Sequence, residues 1–423
     1  MSGLRIGYGE RVVSPPLGLD LSGYGFYLGR KAGGVLDDLK VRALVLSNGG
    51  RPLVVVGCDL IGLPVAAADG FRTGIAADLG TDPCRVLLAC SHTHSGPATE
   101  SLPGLGGRDP AQMDRVRAAV LGAAADAAAD LRDARFGFAF EAVEPLGYNR
   151  RRGDFRDIDP WLKALVFRTK GQLTFLFNYA CHPVVLGRTA DVSADWPGAA
   201  VRAVEQSGHR AVFLQGFCGD IDPVTQMNRW GQGTEADLRL YGEIIARRLE
   251  KAADAAAAGE TRSALLDAAE ERIEVPLHVP ARAEIERRAR SFAQNYAAFP
   301  GGGKFAAAWR ERALRKRARA AKSPAVRNVP VQALRIGPVR ILGFPGEPFC
   351  GTGLRLRKRH DPLLPVGYAN GLIGYIPTRA AYRDPSDYAS SCAPMFFQTF
   401  PFRPDVERVF LDAGRRLLKR VRG

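Results

Sequence analysis

The sequence predicts an α/β protein in which helices flank a core of mixed β-sheet. Apolar, β-branched segments of strand length alternate with amphipathic helical segments in an irregular order. Some strand-like segments follow one another through short glycine turns, as KVRALVLSNG and RPLVVVGCDL do, which predicts antiparallel hairpins. Hairpins mixed with helical crossovers indicate strands of both directions, without a simple doubly wound repeat.

The elements can be assigned in order along the 423 residues, of which 46% are hydrophobic, enough for a sizeable core. Glycines and charged residues bound the apolar segments and set their limits. Hairpins are predicted over 40–60, 162–181 and 329–347, single strands over 84–90, 134–144 and 210–220, and helices over 65–80, 109–133, 196–208, 238–258 and 406–422.

The net charge of +15 is concentrated in one segment, 281–322, which has 12 lysines and arginines against three glutamates. Its composition predicts a pair of basic helices around the glycines at 301–303, inserted into the domain. Such a pair is a candidate contact for an anionic membrane surface, an RNA or an acidic partner, or else a solvated insertion. No zinc-finger spacing or aromatic RNA-binding signature accompanies it, so nucleic acid is not the expected partner.

The cysteines and the N-terminal residues indicate the cellular compartment in which the protein is expected. Seven scattered cysteines, some inside apolar strands, are typical of reduced thiols. The first residues carry charges where an export signal needs an apolar stretch, and the most apolar segment, 52–68, is interrupted by Asp59 and Pro64. We therefore expect a cytoplasmic protein without a membrane span.

Two histidines stand together in VLLACSHTHSGP, directly after a predicted strand. In an extended segment, His92 and His94 project from the same face. Imidazole nitrogen is a common zinc ligand, so the pair is a candidate metal-binding unit. The alternative is two hydrogen-bonded polar residues at a turn.

A third histidine, His182, ends another apolar strand in NYACHPVVL. Asp195 follows it and is a candidate to hold its imidazole in the ligating tautomer. A further strand ends in QGFCGDIDP, with Asp220 and Asp222 in the turn. Strands that end in these residues predict one shared site at a sheet edge. The remaining histidines are expected at the surface: His209, His278 and His360.

SHTHSGP, NYACHPVVL, QGFCGDIDP, GFPGEPF and GYIPT occur in the order found in the neutral/alkaline ceramidases. From about residue 5 to about residue 388, the sequence resembles the zinc-dependent catalytic domain of that superfamily. The resemblance implies a single catalytic domain over 1–423, with 281–322 as a basic helical insertion. It also implies that the C-terminal β-sandwich of the ceramidases is missing.

The resemblance further implies a set of site residues, carried over motif by motif. His92, His182, Glu347 and Tyr375 would bind zinc, His94 would hydrogen-bond the substrate carbonyl or the transition state, and Arg150 and Tyr388 would complete the catalytic group. Zinc polarises a carbonyl and activates water, while imidazole and phenol stabilise a developing oxyanion. The structural alternatives are a helix N-terminal acid for Glu347, a core residue for Tyr375 and a surface charge for Arg150.

One motif departs from the ceramidase pattern. The family's GDVSPN turn has a serine where this chain has Asp222, which excludes a serine nucleophile at this position. The expected activity is therefore zinc-dependent hydrolysis of a linear amide in a small molecule or N-acyl lipid, on a substrate other than ceramide. The alternatives are a zinc esterase or deacylase, and a non-catalytic relative that binds anionic lipid or a partner.

Overall fold

The computed structural model describes residues 3–24, 29–100, 106–229, 231–299 and 301–421. The strands are β1 (Arg5–Val12), β2 (Gly34–Val35), β3 (Lys40–Ser47), β4 (Leu53–Cys58), β5 (Val86–Cys90), β6 (Arg132–Asp133), β7 (Arg135–Ala142), β8 (Gly147–Asn149), β9 (Trp161–Thr169), β10 (Gln172–Tyr179), β11 (Asp191–Val192), β12 (Arg210–Gln215), β13 (Ile221–Pro223), β14 (Leu266–Pro276), β15 (Ala325–Ile336), β16 (Val339–Gly343), β17 (Glu347–Pro348), β18 (Leu363–Val366) and β19 (Tyr375–Ile376). The helices are α1 (Val65–Asp78), α2 (Pro110–Ala129), α3 (Asp195–Gln206), α4 (Glu235–Ala257), α5 (Arg282–Asn295), α6 (Gly302–Lys322), α7 (Cys350–His360), α8 (Ala393–Phe396) and α9 (Val406–Arg420).

The described strands form three main sheets, and each contains the same supersecondary unit. Their orders are β5-β4-β3-β1-β6, β12-β10-β9-β7 and β14-β15-β16-β18. In each unit an antiparallel hairpin is followed by a crossover helix and a strand parallel to the second hairpin strand: β3-β4-α1-β5, β9-β10-α3-β12 and β15-β16-α7-β18. This confirms the predicted mixed α/β fold.

The three sheets bury apolar side chains on both faces. In β3, Val41, Ala43 and Val45 pack toward α1 and α2, while Leu44 and Leu46 point to the opposite side. On that side one cluster joins residues of all three sheets, so the sheets share a central core. Helices α3 and α4 cover the outer face of the second sheet, and α9 packs on the third. Burial on both faces explains why the strands are continuous apolar runs.

Capping residues account for the first residues of two helices, whereas the helix predicted to reach residue 133 ends at Ala129 because Arg132–Asp133 pair with β1. α2 begins at Pro110 because the Asp109 carboxylate accepts the backbone N–H of Gln112 at 2.7 Å. α4 begins three residues earlier than predicted, since Thr234 and Asp237 form a capping box. The last predicted helix ends at Arg420, and residue 422 lies outside the described residues.

The basic segment 281–322 forms the two helices α5 and α6, as predicted. All seven cysteines are free thiols. Within the described ranges, none of the helices combines the length and hydrophobicity that a membrane-spanning segment requires.

Candidate metal centre

The candidate residues meet where one strand from each of the three units ends. His92 follows β5 of the first unit, His182 follows β10 of the second, and Glu347 follows β16 of the third. All three side chains are buried. The topology therefore brings together residues that lie far apart in the chain, at the carboxyl ends of β5, β10 and β16.

Four polar side chains converge there. Oε2 of Glu347 lies 3.3 Å from Nε2 of His92 and 3.4 Å from Nε2 of His182. Nε2 of His94 lies 3.1 Å from Nε2 of His92. The ligand nitrogens of the three histidines all fall within 4.8 Å of one another. This spacing is compact enough for a single metal ion.

The histidine pair converges by a different route from the predicted strand alternation. β5 ends at Cys90, and His92 has a left-handed backbone with φ of 72°. The rings of His92 and His94 then meet edge to face, 4.7 Å apart. A left-handed backbone at a non-glycine residue is strained and is frequent at functional sites. The segment is a turn, so the prediction of an extended segment at this point is wrong.

Backbone carbonyls orient two of the imidazoles. Nδ1 of His92 lies 2.6 Å from the carbonyl oxygen of Ile61, and Nδ1 of His182 lies 3.0 Å from that of Ile221. Because a carbonyl only accepts hydrogen bonds, each Nδ1 must carry the proton. In the neutral rings, both Nε2 lone pairs then point at Glu347, which is the orientation that a metal ligand needs.

Asp195 does not hold the imidazole of His182, so that prediction is wrong. Its carboxylate accepts the backbone N–H groups of Val185, Leu186 and Trp196 at 2.8–3.2 Å. Trp196 in turn donates its indole N–H to the carbonyl of His182 at 3.2 Å. Asp195 therefore fixes the loop that follows His182, and the contact to the ring is made by a carbonyl that the sequence pattern does not reveal.

The centre requires a positive charge. With both rings neutral, two nitrogen lone pairs face a carboxylate oxygen, and Nε2 of His182 is buried without a hydrogen-bond partner. Burial opposes a charge on His182, but neighbouring acceptors, first Cys218 and then Glu347, raise the pKa of its imidazole to about 10. Burial lowers the pKa of His92, which keeps that ring neutral. A proton can supply the charge in the metal-free protein, and a divalent cation fits the same donors.

His94 has the opposite tautomer. Its Nδ1 accepts the backbone N–H of Tyr24 at 3.3 Å, so the neutral ring carries its proton on Nε2. Gly23 permits this contact, because its φ is +97° and a Cβ there would lie 2.6 Å from the imidazole. Burial, reinforced by His92, lowers the pKa of His94 well below its usual value. His94 therefore presents an N–H donor to the pocket, whereas His92 and His182 present lone pairs.

Tyr375 and Arg150 lie beside Glu347. The short strands β17 and β19 pair in parallel with Glu347 opposite Tyr375, which puts both side chains at the centre. A guanidinium N–H of Arg150 donates to the hydroxyl of Tyr375 at 2.9 Å and to the carbonyl of Gly219 at 2.9 Å. Gly219 is required here, since a Cβ would lie 2.5 Å from the carbonyl oxygen of Glu347.

The aspartates of the GDIDP turn have different partners. Oδ1 of Asp222 lies 3.2 Å from the guanidinium of Arg150 and 3.8 Å from Nδ1 of His182. Asp220 accepts the backbone N–H of Cys350 at 2.7 Å, at the start of α7. Asp222 thus orients Arg150 toward the pocket, while Asp220 joins two loops.

A pocket of about 590 Å³, including open solvent, connects the centre to the surface. The ring of Tyr388 forms part of its wall, 5.7 Å from the ring of Tyr375, and the guanidinium of Arg150 lies 5.9 Å from the Tyr388 ring. The apolar walls are formed by Tyr24, Ile61, Leu372, Phe396 and Phe397, with Glu100 near the rim. All seven predicted site residues therefore lie in or beside one pocket.

Two residues of this region were missed by the sequence analysis. The ring of Tyr368 stacks on His92 at 4.1 Å, and its hydroxyl donates to Glu347 at 3.3 Å. Glu100 lines the pocket, where burial raises its pKa to about 7. The available signals were the position of Tyr368 after the strand in LLPVGYANG and of Glu100 after SHTHSGP.

Tyr368→Phe is expected to lower the affinity of this candidate centre for a metal ion about tenfold, because outer partners of metal ligands contribute 10- to 100-fold. The change removes the hydroxyl that orients Glu347 and keeps the ring stacked on His92. Tyr368→Leu, which removes both contacts, should have the larger effect. Competition with a chromogenic chelator measures both affinities. Unchanged affinity in the two variants would contradict a positioning role for Tyr368.

The other three histidines lie away from the pocket, but only His278 is exposed as predicted. His209 is half-buried. His360 is buried in the last turn of α7, because that helix packs against β18. The prediction of a surface position is therefore wrong for His360.

Comparisons with known proteins agree with this architecture. No protein-family model matches the chain. A neutral ceramidase of Mycobacterium tuberculosis is 42% identical over 62 residues, a match that spans 13% of this chain and 10% of that protein. The crystal structure of neutral ceramidase from Pseudomonas aeruginosa superimposes with a TM-score of 0.74 at 20% identity, covering 99% of this chain and 75% of that one. A ceramidase solved as a complex with C2 gives 0.76 at 19% identity, covering 99% and 76%. The resemblance of the motifs is thus confirmed in three dimensions, and this chain has the fold of the neutral ceramidases.

Proposed function

We propose that this protein is a zinc-dependent hydrolase that cleaves a linear amide in an N-acyl substrate. One observation carries the proposal: in a buried site, Nε2 of His92 and Nε2 of His182 each lie within 3.4 Å of the same carboxylate oxygen of Glu347. Two nitrogens with oxygen donors suit zinc. The folds of the neutral ceramidases support amide hydrolysis as the reaction class.

In this proposal His92, His182, Glu347 and Tyr375 hold the zinc. When bound, the ion would polarise the substrate carbonyl and lower the pKa of a bound water. The outer contacts keep the ligands in place before any ion binds, since Ile61 and Ile221 fix the two imidazoles and Arg150 holds the Tyr375 hydroxyl.

We assign the hydrogen-bond donors that face the pocket to the substrate carbonyl oxygen, which gains negative charge when the amide is attacked. His94 offers Nε2–H, and Tyr388 offers a phenolic hydroxyl from the pocket wall. Arg150 contributes a fixed positive charge, because Asp222 and the Gly219 carbonyl hold its guanidinium. Donors fixed in place before the reaction stabilise an oxyanion without reorganisation in the transition state.

The proposal treats 1–423 as one catalytic unit with the basic helices as an insertion, in a reducing compartment such as the cytoplasm. The seven free thiols support that compartment. The substrate is proposed to be an N-acyl compound other than ceramide, because the family's serine position holds Asp222.

The test combines metal analysis with substrate profiling. Purified protein is analysed for bound metals, and then assayed on matched amides and esters of the same acyl chains, before and after chelation and zinc replacement. We expect one zinc per chain and chelator-sensitive amide cleavage. Cleavage of the esters alone would favour the esterase alternative. Full activity without any metal would contradict the proposal.

Zinc binding near pH 7.5 is expected to release about one proton per ion, because His182 must lose its proton to become a ligand. The pKa of His182 is about 10 in the metal-free protein, so the proton is present below that pH. Zinc affinity should therefore rise about tenfold per pH unit up to this value. Calorimetry in buffers of different ionisation enthalpy counts the protons. Binding without proton release would contradict a protonated His182.

A further inference from the structure

The basic helices are joined to the wall of the metal pocket. On their inner sides, Phe292 of α5 and Phe305 of α6 pack on Phe396 of α8, with ring centroids 5.8 and 5.0 Å away. Trp309 is buried in the same cluster. Phe396 also lines the metal pocket, so one aromatic side chain connects the inner sides of α5 and α6 with the pocket wall.

The acidic residues of the two helices are all neutralised within them. Glu284 pairs with Arg288, Glu286 with Arg310, and Glu311 with Arg315. The 12 lysines and arginines in 281–322 outnumber the three glutamates by nine, which gives the segment a net charge of +9. Because each glutamate is already paired, the three glutamates do not neutralise the remaining cations of the two helices.

Exposed cations line both helices. Within the described ranges, no acidic side chain lies within 4.0 Å of Arg287, Arg290, Lys304, Arg319 or Lys322. On α6, Lys304, Arg319 and Lys322 recur at helical spacing on one side. A row of exposed cations of this kind is complementary to an anionic surface.

A groove lies beside this row, between α6 and residues 398–400. Leu277, Trp309 and Phe400 give it apolar walls, and Arg312 and Lys316 lie along it. Arg312 donates through Nε to the side chain of Gln398 at 2.5 Å, but its Nη2 is buried without a hydrogen-bond partner. The groove thus combines a buried, unsatisfied donor with apolar surface, which suits the anionic end of an amphiphile.

We propose that α5 and α6 dock the protein on an anionic lipid bilayer, with one anionic headgroup in the groove beside Arg312 and Lys316. Nucleic acid is disfavoured because unspecific single-strand binding uses exposed aromatic rings as stacking platforms. Here Phe292, Phe305 and Trp309 are buried in the packing against α8. An acyl substrate held in the bilayer would then meet the protein next to its pocket wall.

Vesicle co-sedimentation of the full chain tests the docking. We expect binding to vesicles of phosphatidylcholine with 30% phosphatidylglycerol (about this fraction gives a clearly negative surface) and none to phosphatidylcholine alone. Arg319→Gln/Lys322→Gln should weaken binding about tenfold or more. The matched control is Arg115→Gln/Arg117→Gln, which removes two exposed cations from α2 and should leave binding nearly unchanged.

Three results would overturn the proposal: no binding to the anionic vesicles, equal loss in both double variants, or displacement from vesicles by low concentrations of single-stranded RNA. The groove has its own comparison, since Lys316→Gln should weaken binding more than Arg319→Gln although each removes one exposed charge. If Lys316→Gln and Arg319→Gln weaken vesicle binding equally, the proposed headgroup site in the groove is excluded. Binding is measured without substrate, so the outcome does not depend on the proposed hydrolase activity.

Discussion

His182→Ala is expected to abolish both zinc binding and hydrolysis. The change removes one of the two nitrogen lone pairs that face Glu347, and the remaining donors cannot complete a four-coordinate site. The local backbone should stay in place, because the backbone N–H of His182 donates to the Ile221 carbonyl independently of the ring. We expect a loss of about 3–5 kcal/mol in the free energy of unfolding of the metal-free protein, because Glu347 stays buried without its cationic partner.

Metal analysis and denaturant unfolding of the same preparation check both expectations. His278→Ala is the matched control, since it removes an exposed histidine whose ring pairs with Glu284 at the surface. Its zinc content and activity should equal those of the unchanged protein. Full zinc occupancy in His182→Ala would show that the zinc binds at another site.

His94→Ala is expected to lower kcat about 10²- to 10³-fold while zinc remains bound, the usual effect of losing one oxyanion donor. The reason is its tautomer: Nδ1 accepts the Tyr24 N–H, so Nε2 carries a proton and offers no lone pair to a metal. The roles of His182 and His94 are thus distinguished by experiment, His182 by the metal content of its variant and His94 by the reaction rate of its variant.

Steady-state kinetics with parallel metal analysis makes this comparison. His94→Gln keeps an N–H donor on its side chain and should recover part of the lost rate, which a general loss of packing would not allow. If His94→Ala loses its zinc as His182→Ala does, His94 is a ligand and its assignment as a donor is wrong.

The membrane proposal and the hydrolase proposal meet at Phe396, which contacts both the basic helices and the metal pocket. The two proposals remain separable, because vesicle binding needs no metal and zinc binding needs no lipid.

The sequence by itself determined the local elements and the chemically distinctive residues. Apolar runs and glycine turns specify the hairpins, and Asp109 and Thr234 specify helix starts, because strand period, turn geometry and capping depend on neighbours in the chain. The order of the motifs also pointed to the residues of one pocket, from His92 to Tyr388.

Only the tertiary structure decided how these residues act together. The three repeated units, the stacking of Tyr368 on His92 and the Asp222–Arg150 contact join segments that no local pattern relates. The tautomers of His92 and His182 depend on carbonyls of Ile61 and Ile221, and every residue has a carbonyl, so composition carries no signal of them. Long-range packing sets these contacts, and sequence periodicity reports only on contacts within a single element.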